Sequence, residues 1–120
     1  MAKKATGLRL RARLRVERGG EIALGPGKVE LLGHIARTGS MAEAAKQMEM
    51  SYMRAWTMVK TMEHCFRKPL VEATRGGRER GGTCLTETGE QALALYHQME
   101  AQSEQAMKAT WTKLRRLLKS

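Results

Sequence analysis

Aspartate is absent: all 12 acidic residues among the 120 are glutamates. No Ser/His/acid arrangement stands where a small fold would assemble it, so catalysis is not expected. A phosphate-cradling loop is missing as well, because Gly76-Gly77 and Gly81-Gly82 sit between two strand-like runs and not before a helix. Cysteine is scarce. Cys65 and Cys84 are too few for a disulfide framework, and the N-terminus has no signal-peptide pattern, so a cytoplasmic, nucleoid-associated protein is expected. His34, His64 and His97 are scattered, and no His/Cys pair has chelate spacing on a common face, so neither metal nor cofactor is expected. Cys65 falls on the apolar side of a helical pattern and reads as a buried, inert thiol. No apolar run approaches the roughly 18 to 20 residues that cross a bilayer, which excludes a membrane partner of that kind.

What is abundant is positive charge. Lys and Arg number 22, for a net charge of +10. Such an excess favours a polyanion, because phosphate contacts release condensed counterions. The length suits one domain.

The chain divides into a mainly α pattern with small β-hairpins. Leu8, Leu10, Ala12, Leu14 and Val16 alternate with Arg9, Arg11, Arg13 and Arg15, which predicts a half-buried strand from Leu8 to Val16. The arginine row suits either phosphates or plain solvent. A turn at Glu17 to Gly20 and a partner strand at Glu21 to Leu24 follow. Val29, Leu31, Leu32, Ile35 and Ala36 predict a first helix up to Thr38-Gly39. Ser40, with Glu43 three residues on, is an N-cap for a short second helix from Met41. Ser51 caps a third, expected from Tyr52 to about Phe66 and stopped by Pro69, with Ala55, Met58, Val59, Met62, Cys65 and Phe66 as its buried stripe. Leu70 to Thr74 and Thr83 to Leu85 predict a hairpin with a glycine-rich tip. From Thr86 the pattern is helical; about 33 residues would span roughly 50 Å, while a domain of this size has a radius of gyration near 13 to 14 Å. Such a helix must project, and something else must cover it.

Two helices joined by a tight turn and followed by a two-stranded ribbon with a basic tip is the order of a winged helix-turn-helix with a long C-terminal dimerisation helix. Residues 1–86 would be the DNA-binding domain with an N-terminal hairpin, and 87–120 the dimerisation helix. Double-stranded DNA is the expected partner. Ser51, Tyr52, Arg54, Thr57 and Lys60 are the candidate contacts on the third helix, with Ser40 at the mouth of the second. Arg54 has the planar fork that bonds O6 and N7 of guanine together; a solvated arginine is the bland alternative. Tyr52 suits either base reading or packing on the second helix. Arg75, Arg78 and Arg80 at the ribbon tip suit phosphate or minor-groove contact.

Several separated motifs carry a family likeness: Gly25-Pro26-Gly27, Thr38-Gly39-Ser40, Ala44-Ala45, Met50-Ser51-Tyr52, Arg54-Ala55-Trp56, Pro69-Leu70-Val71 and the tip from Arg75 to Gly82. Over about residues 8 to 100 the chain resembles the N-terminal DNA-binding domain of ModE-type molybdate-responsive regulators, and Leu85-Thr86 to Gly89 is similar to the linker-helix junction of the broader LysR-type group. The resemblance implies a homodimer reading a pseudo-palindromic operator, a link to molybdenum-related genes, and an N-terminal hairpin that contributes to the dimer. Two departures stand out. The chain stops where that family continues into molybdate-binding domains, so molybdate binding by these residues is not expected. Glu49 stands where the family pattern has a turn glycine in a left-handed conformation, which costs a non-glycine residue about 1 kcal/mol.

The long helix supports dimerisation on its own pattern. Ala92, Tyr96, Met99, Ser103 and Ala106 lie on one seam, followed by Met107, Trp111, Leu114 and Leu118. Its basic end, Lys108 to Lys119, also suits a membrane surface or a protein partner. The competing functions are therefore a nonspecific architectural DNA binder and an adaptor working through this helix.

Overall fold

A computed structural model describes residues 7–74 and 82–119. An antiparallel hairpin of β1 (Val16–Arg18) and β2 (Glu21–Leu24) opens the regular structure. Gly19 and Gly20 both take positive φ, 56° and 92°. That pair of left-handed residues gives the two-residue turn whose twist matches the strands. Helix α1 (Pro26–Thr38) starts with proline inside its first turn, where the missing N–H has no partner to lose, and buries Val29, Leu31, Leu32 and Ile35. Helices α2 (Met41–Gln47) and α3 (Tyr52–Glu63) follow, then the antiparallel pair β3 (Val71–Ala73) and β4 (Thr83–Leu85) in register Val71↔Leu85, Glu72↔Cys84 and Ala73↔Thr83. Helix α4 (Glu87–Arg115) ends the fold. The winged helix-turn-helix with a long C-terminal helix is present.

The core is the space between α1, α2 and α3, closed by the wing and by the opening turns of α4. Leu31, Leu32, Ile35, Ala44, Ala55, Val59, Met62, Leu70 and Tyr96 are fully buried there. Each fits the apolar spacing of its element, and their burial drives the assembly.

Three expectations need correction. The strand from Leu8 to Val16 is absent: residues 7–15 are irregular and pairing begins at Val16. The alternation is kept in part: Leu8, Ala12 and Leu14 are half-buried and the four arginines exposed, but Leu10 and Val16 are exposed as well. The returning strand is four residues long, enough to pair only with Val16–Arg18. Before it, the arm follows α4, where the Tyr96 hydroxyl donates to the Leu14 carbonyl at 2.7 Å. Helix α3 ends at Glu63, well before Pro69. Cys65, beyond that end, is half-exposed and outside the core. Its S–H donates to Glu21 Oε1 at 3.5 Å, and desolvation, then the hydrogen bond and charge of Glu21, push the thiol above its ordinary pKa.

Past Tyr96 every described side chain of α4 is exposed or half-exposed. At 1.5 Å per residue, 29 residues run about 44 Å, and the molecule's longest dimension is 55 Å. The helix therefore extends beyond the core it caps.

Where α4 begins, its backbone lies against the wing. Thr86 accepts the Gly89 N–H at 3.0 Å and donates to the Pro69 carbonyl at 2.7 Å. A Cβ on Gly89 would stand 2.1 Å from the Leu70 carbonyl oxygen, which is backbone and cannot swing aside. Gly89→Ala should lower stability by about 3 kcal/mol, the upper part of the usual overpacking range. Urea unfolding followed by circular dichroism checks this, and an unchanged midpoint would refute the close approach.

Candidate nucleic-acid interface

The turn between α2 and α3 sets the interface. Ala44 and Ala45 are buried and small enough to bring α2 close to Ala55 of α3. Met50 N–H bonds the Ala45 carbonyl and Glu49 N–H that of Lys46, both at 3.0 Å. That pattern is a Schellman C-terminus, and Glu49 sits at its left-handed position with φ 56°. The chain pays the expected strain of about 1 kcal/mol there for lacking glycine.

Ser40 and Ser51 act as caps. Ser40 Oγ accepts the Glu43 N–H at 3.0 Å and Ser51 Oγ the Arg54 N–H at 3.1 Å. Each hydroxyl satisfies one of the free amides that open a helix and leaves its positive end outward, a favourable approach for phosphate.

Helix α3 has two distinct faces. Ala55, Val59 and Met62 enter the core, and the outer side carries Arg54, Thr57 and Lys60, with Tyr52 at its border in the first turn, all exposed. Tyr52 is 51% exposed, so it is presented outward and is not packed away on α2. Arg54 has no ion pair among the described residues. Lys60 is held: its Nζ lies 3.3 Å from Glu63 Oε1 and 5.4 Å from the Trp56 ring centroid. Thr61 returns its hydroxyl to the Thr57 carbonyl at 2.9 Å.

The sequence reading missed three residues. Met53 and Trp56 are 63% and 42% exposed on this helix; helical period puts Met53 opposite Ala55, while Trp56 lies at the border of the buried side, one turn before Val59. Glu63 is the third. Its Oε2 accepts the Leu70 N–H at 2.8 Å and the Val71 N–H at 3.1 Å. This carboxylate at the last residue of α3 ties the helix end to the first wing strand; beyond it the backbone tightens into i→i+3 turns, Cys65 N–H to the Met62 carbonyl and Phe66 N–H to that of Glu63, and leaves the helix before Pro69. No local pattern signals a contact seven residues ahead.

The wing is fixed at its far strand too, because Thr83 N–H donates to the Gly39 carbonyl at 2.9 Å. Arg75, Arg78 and Arg80 lie outside the described residues. The arginine row of the N-terminal arm does not join the α3 face as a unit. Arg11 and Arg13 line a hollow of about 360 Å³ between the arm, α1 and α4, together with Arg37, Glu30 and Glu100.

On α4 the expected seam splits. Ala92 and Tyr96 are buried in the chain's own core, so neither side chain is free for a second copy. Burial, and secondarily the Glu100 charge, raises the Tyr96 phenol above its ordinary pKa, while Arg13 and Arg15 pull the other way. Met99 and Leu114 are exposed, Ser103 and Trp111 half-exposed. Leu10 of the arm, Met107, Trp111 and Leu114 line an apolar hollow of about 290 Å³. Among the described residues no group of three His, Cys, Asp or Glu side chains could hold a metal, and no helix is long and apolar enough to cross a membrane.

Comparison with known proteins agrees with this geometry. The model of the bacterial regulatory helix-turn-helix protein, lysR family, matches residues 27–90, just over half of the chain. The chain is 38% identical over 96 residues to the molybdenum-pterin-binding protein MopA of Rhodobacter capsulatus, covering 80% of this chain and 36% of that one. It is 36% identical over 102 residues to the molybdenum transport protein ModE of Azotobacter vinelandii, covering 85% and 38%. With the transcriptional regulator ModE of Haemophilus influenzae the identity is 40% over 81 residues, covering 68% and 32%. The chain thus spans about a third of the length of the curated relatives it matches. Among solved structures, the DNA-binding domain of CbnR in complex with DNA superposes with a TM-score of 0.57 at 19% identity, covering 73% of this chain and 95% of that one. This last likeness is one of fold.

Because Glu63 is the tie between α3 and the wing, Glu63→Ala should strand two backbone amides and cost about 2 kcal/mol. Hydrogen exchange at Leu70 and Val71 should accelerate in step. Unaltered protection of both amides would remove Glu63 from this role.

Proposed function

The chain belongs to the lysR family of bacterial regulatory helix-turn-helix proteins, and on that premise we propose that it is a sequence-specific transcriptional regulator that binds a pseudo-palindromic operator as a homodimer. The observation that carries the reading is the outer face of α3: a Ser51-capped helix, buried on one side, that offers Arg54, Thr57 and their neighbours to a groove about 12 Å wide. The wing beside it is tied to its end by Glu63. A net charge of +10 adds the sequence-independent attraction.

Roles follow from position. Arg54, Tyr52 and Thr57 reach base edges from the first turns of α3. Ser40 and Ser51, at two helix N-termini, receive phosphates, with Lys60 beside them. Arg75, Arg78 and Arg80 contribute phosphate contacts from the wing tip. The dimer is made by the projecting part of α4, through Met99, Ser103, Trp111 and Leu114, whose apolar surface is only partly covered by the described residues of one chain, Leu10 of the arm among them. The names of the MopA and ModE relatives support a link to molybdenum-related genes. The working place is the cytoplasm, on the nucleoid. No cofactor and no molybdate site are assigned to these residues.

The first test selects bound sites from random duplexes and compares them with unrelated DNA at two salt concentrations. A regulator keeps a specificity ratio of order 10³ or more; equal affinity for both would leave only an architectural binder. Arg54→Ala should weaken the selected site by about 1 to 3 kcal/mol and relax one position of it. Discrimination that survives the substitution would clear Arg54 of base reading.

Leu114→Arg should convert the dimer to a monomer in sedimentation equilibrium while circular dichroism stays native, because Leu114 lies outside the core. A variant that remains dimeric would move the interface elsewhere.

A further inference from the structure

We propose that α3 reads thymine by its 5-methyl group, through Met53 and Trp56, on the opposite flank from the Arg54 contact. The inference rests on the DNA-binding reading and specifies what that face recognises.

Three large side chains, Tyr52, Met53 and Trp56, are 51%, 63% and 42% exposed on one helix of a small protein. The core does not need them, since Ala55, Val59 and Met62 already fill the inner face. At about 100° per residue, positions 52, 53 and 56 form one strip and Arg54 lies about 100° beyond Met53. Met53 and Trp56, three apart, are neighbours along that strip. Exposed apolar surface concentrated in one place marks a contact.

Charge says which contact. Lys60, one turn beyond Trp56 on the same strip, stands over its ring at 5.4 Å, and Arg54 flanks the Met53 side with no carboxylate partner among the described residues. Within α3 the acid is Glu63, which is occupied by Lys60 and by two wing amides; Glu49, exposed, lies in the turn before the helix. The strip is therefore apolar in the opening turns of α3, with a cation beyond it at Lys60 and another beside it at Arg54. A major groove has that complementary form: phosphates at its walls and, on its floor, an apolar group found only on thymine. Met53 is in the first turn, where docked recognition helices reach base edges, and its unbranched thioether adapts to an irregular apolar surface.

The test uses the full chain and the site selected from random duplexes. Each thymine is replaced singly by deoxyuracil, which removes the methyl and leaves every hydrogen-bonding group. Wild-type binding should fall about fourfold at each contacted thymine, the transfer of one methyl out of water. Met53→Ala and Trp56→Ala should each abolish the effect at their own positions, and Met53→Leu should keep it. All three variants should unfold at nearly the wild-type urea midpoint, because the side chains are outside the core. If no thymine is sensitive to its methyl, or if the sensitivity survives in both alanine variants, the proposal is overturned and the strip belongs to a protein contact. If wild type selects no sequence at all, the regulator reading itself has failed, which is a separate result.

Discussion

The peptide units around Leu70 hold the molecule together. Leu70 is fully buried; its N–H goes to Glu63 at the end of α3, and its carbonyl accepts the Thr86 N–H at 2.9 Å. The same carbonyl lies so close to Gly89 that no side chain fits between them. The recognition helix, the wing and the long helix thus meet at one residue. Buried backbone groups demand partners, and here satisfying them fixes three elements relative to one another. Whatever α3 reads, the wing and α4 are aligned to it through this joint.

The two faces of α3 divide structure from recognition. Inward, small and medium residues let α1 and α2 approach; outward stand cationic, polar and apolar groups. The cost of such an arrangement is tolerated at the turn, where Glu49 keeps a strained conformation so that α2 and α3 retain their angle. Helix α4 is divided along its length instead. Its opening turns, with Ala92 and Tyr96, finish the core, and the remainder extends outward with its apolar side chains uncovered. The Tyr96 hydroxyl bonded to Leu14 fastens the N-terminal arm at the border between these parts.

Much of this was legible in the amino-acid order because it is local. The caps at Ser40 and Ser51 depend on residues three positions apart, and both hydrogen bonds are present. The buried positions of α1 through α3 follow the 3.6-residue period. The left-handed Glu49 was anticipated by family resemblance. Where the reading went astray, the deciding partner was distant. The arm's strict alternation reads as a strand, but a strand needs a neighbour, and β2 is too short to supply one beyond Val16. Pro69 reads as the stop for α3, whereas the α-helix ends at Glu63 and the chain tightens into i→i+3 turns before reaching the wing strand that Glu63 binds. Tyr96 has the right spacing for a dimer seam and equally for the core; sequence period cannot separate two apolar environments.

For the candidate interface the balance is similar. Arg54, Thr57 and Lys60 follow from helical period and Tyr52 from its place in the first turn, neither of which needs knowledge of the fold. That Lys60 is engaged by Trp56 and Glu63, while Arg54 has no ion pair among the described residues, comes only from coordinates, since it depends on side-chain directions in space. The amino-acid sequence by itself determined which segments become helices, which face of each is apolar, and that the whole is strongly cationic, because propensity, capping and periodicity act over a few residues. Tertiary structure decided which apolar positions are consumed by the core and which remain outside it, and how the wing is locked to α3. Those outcomes depend on contacts between residues such as Leu14 and Tyr96, 82 positions apart, whose pairing no local rule encodes.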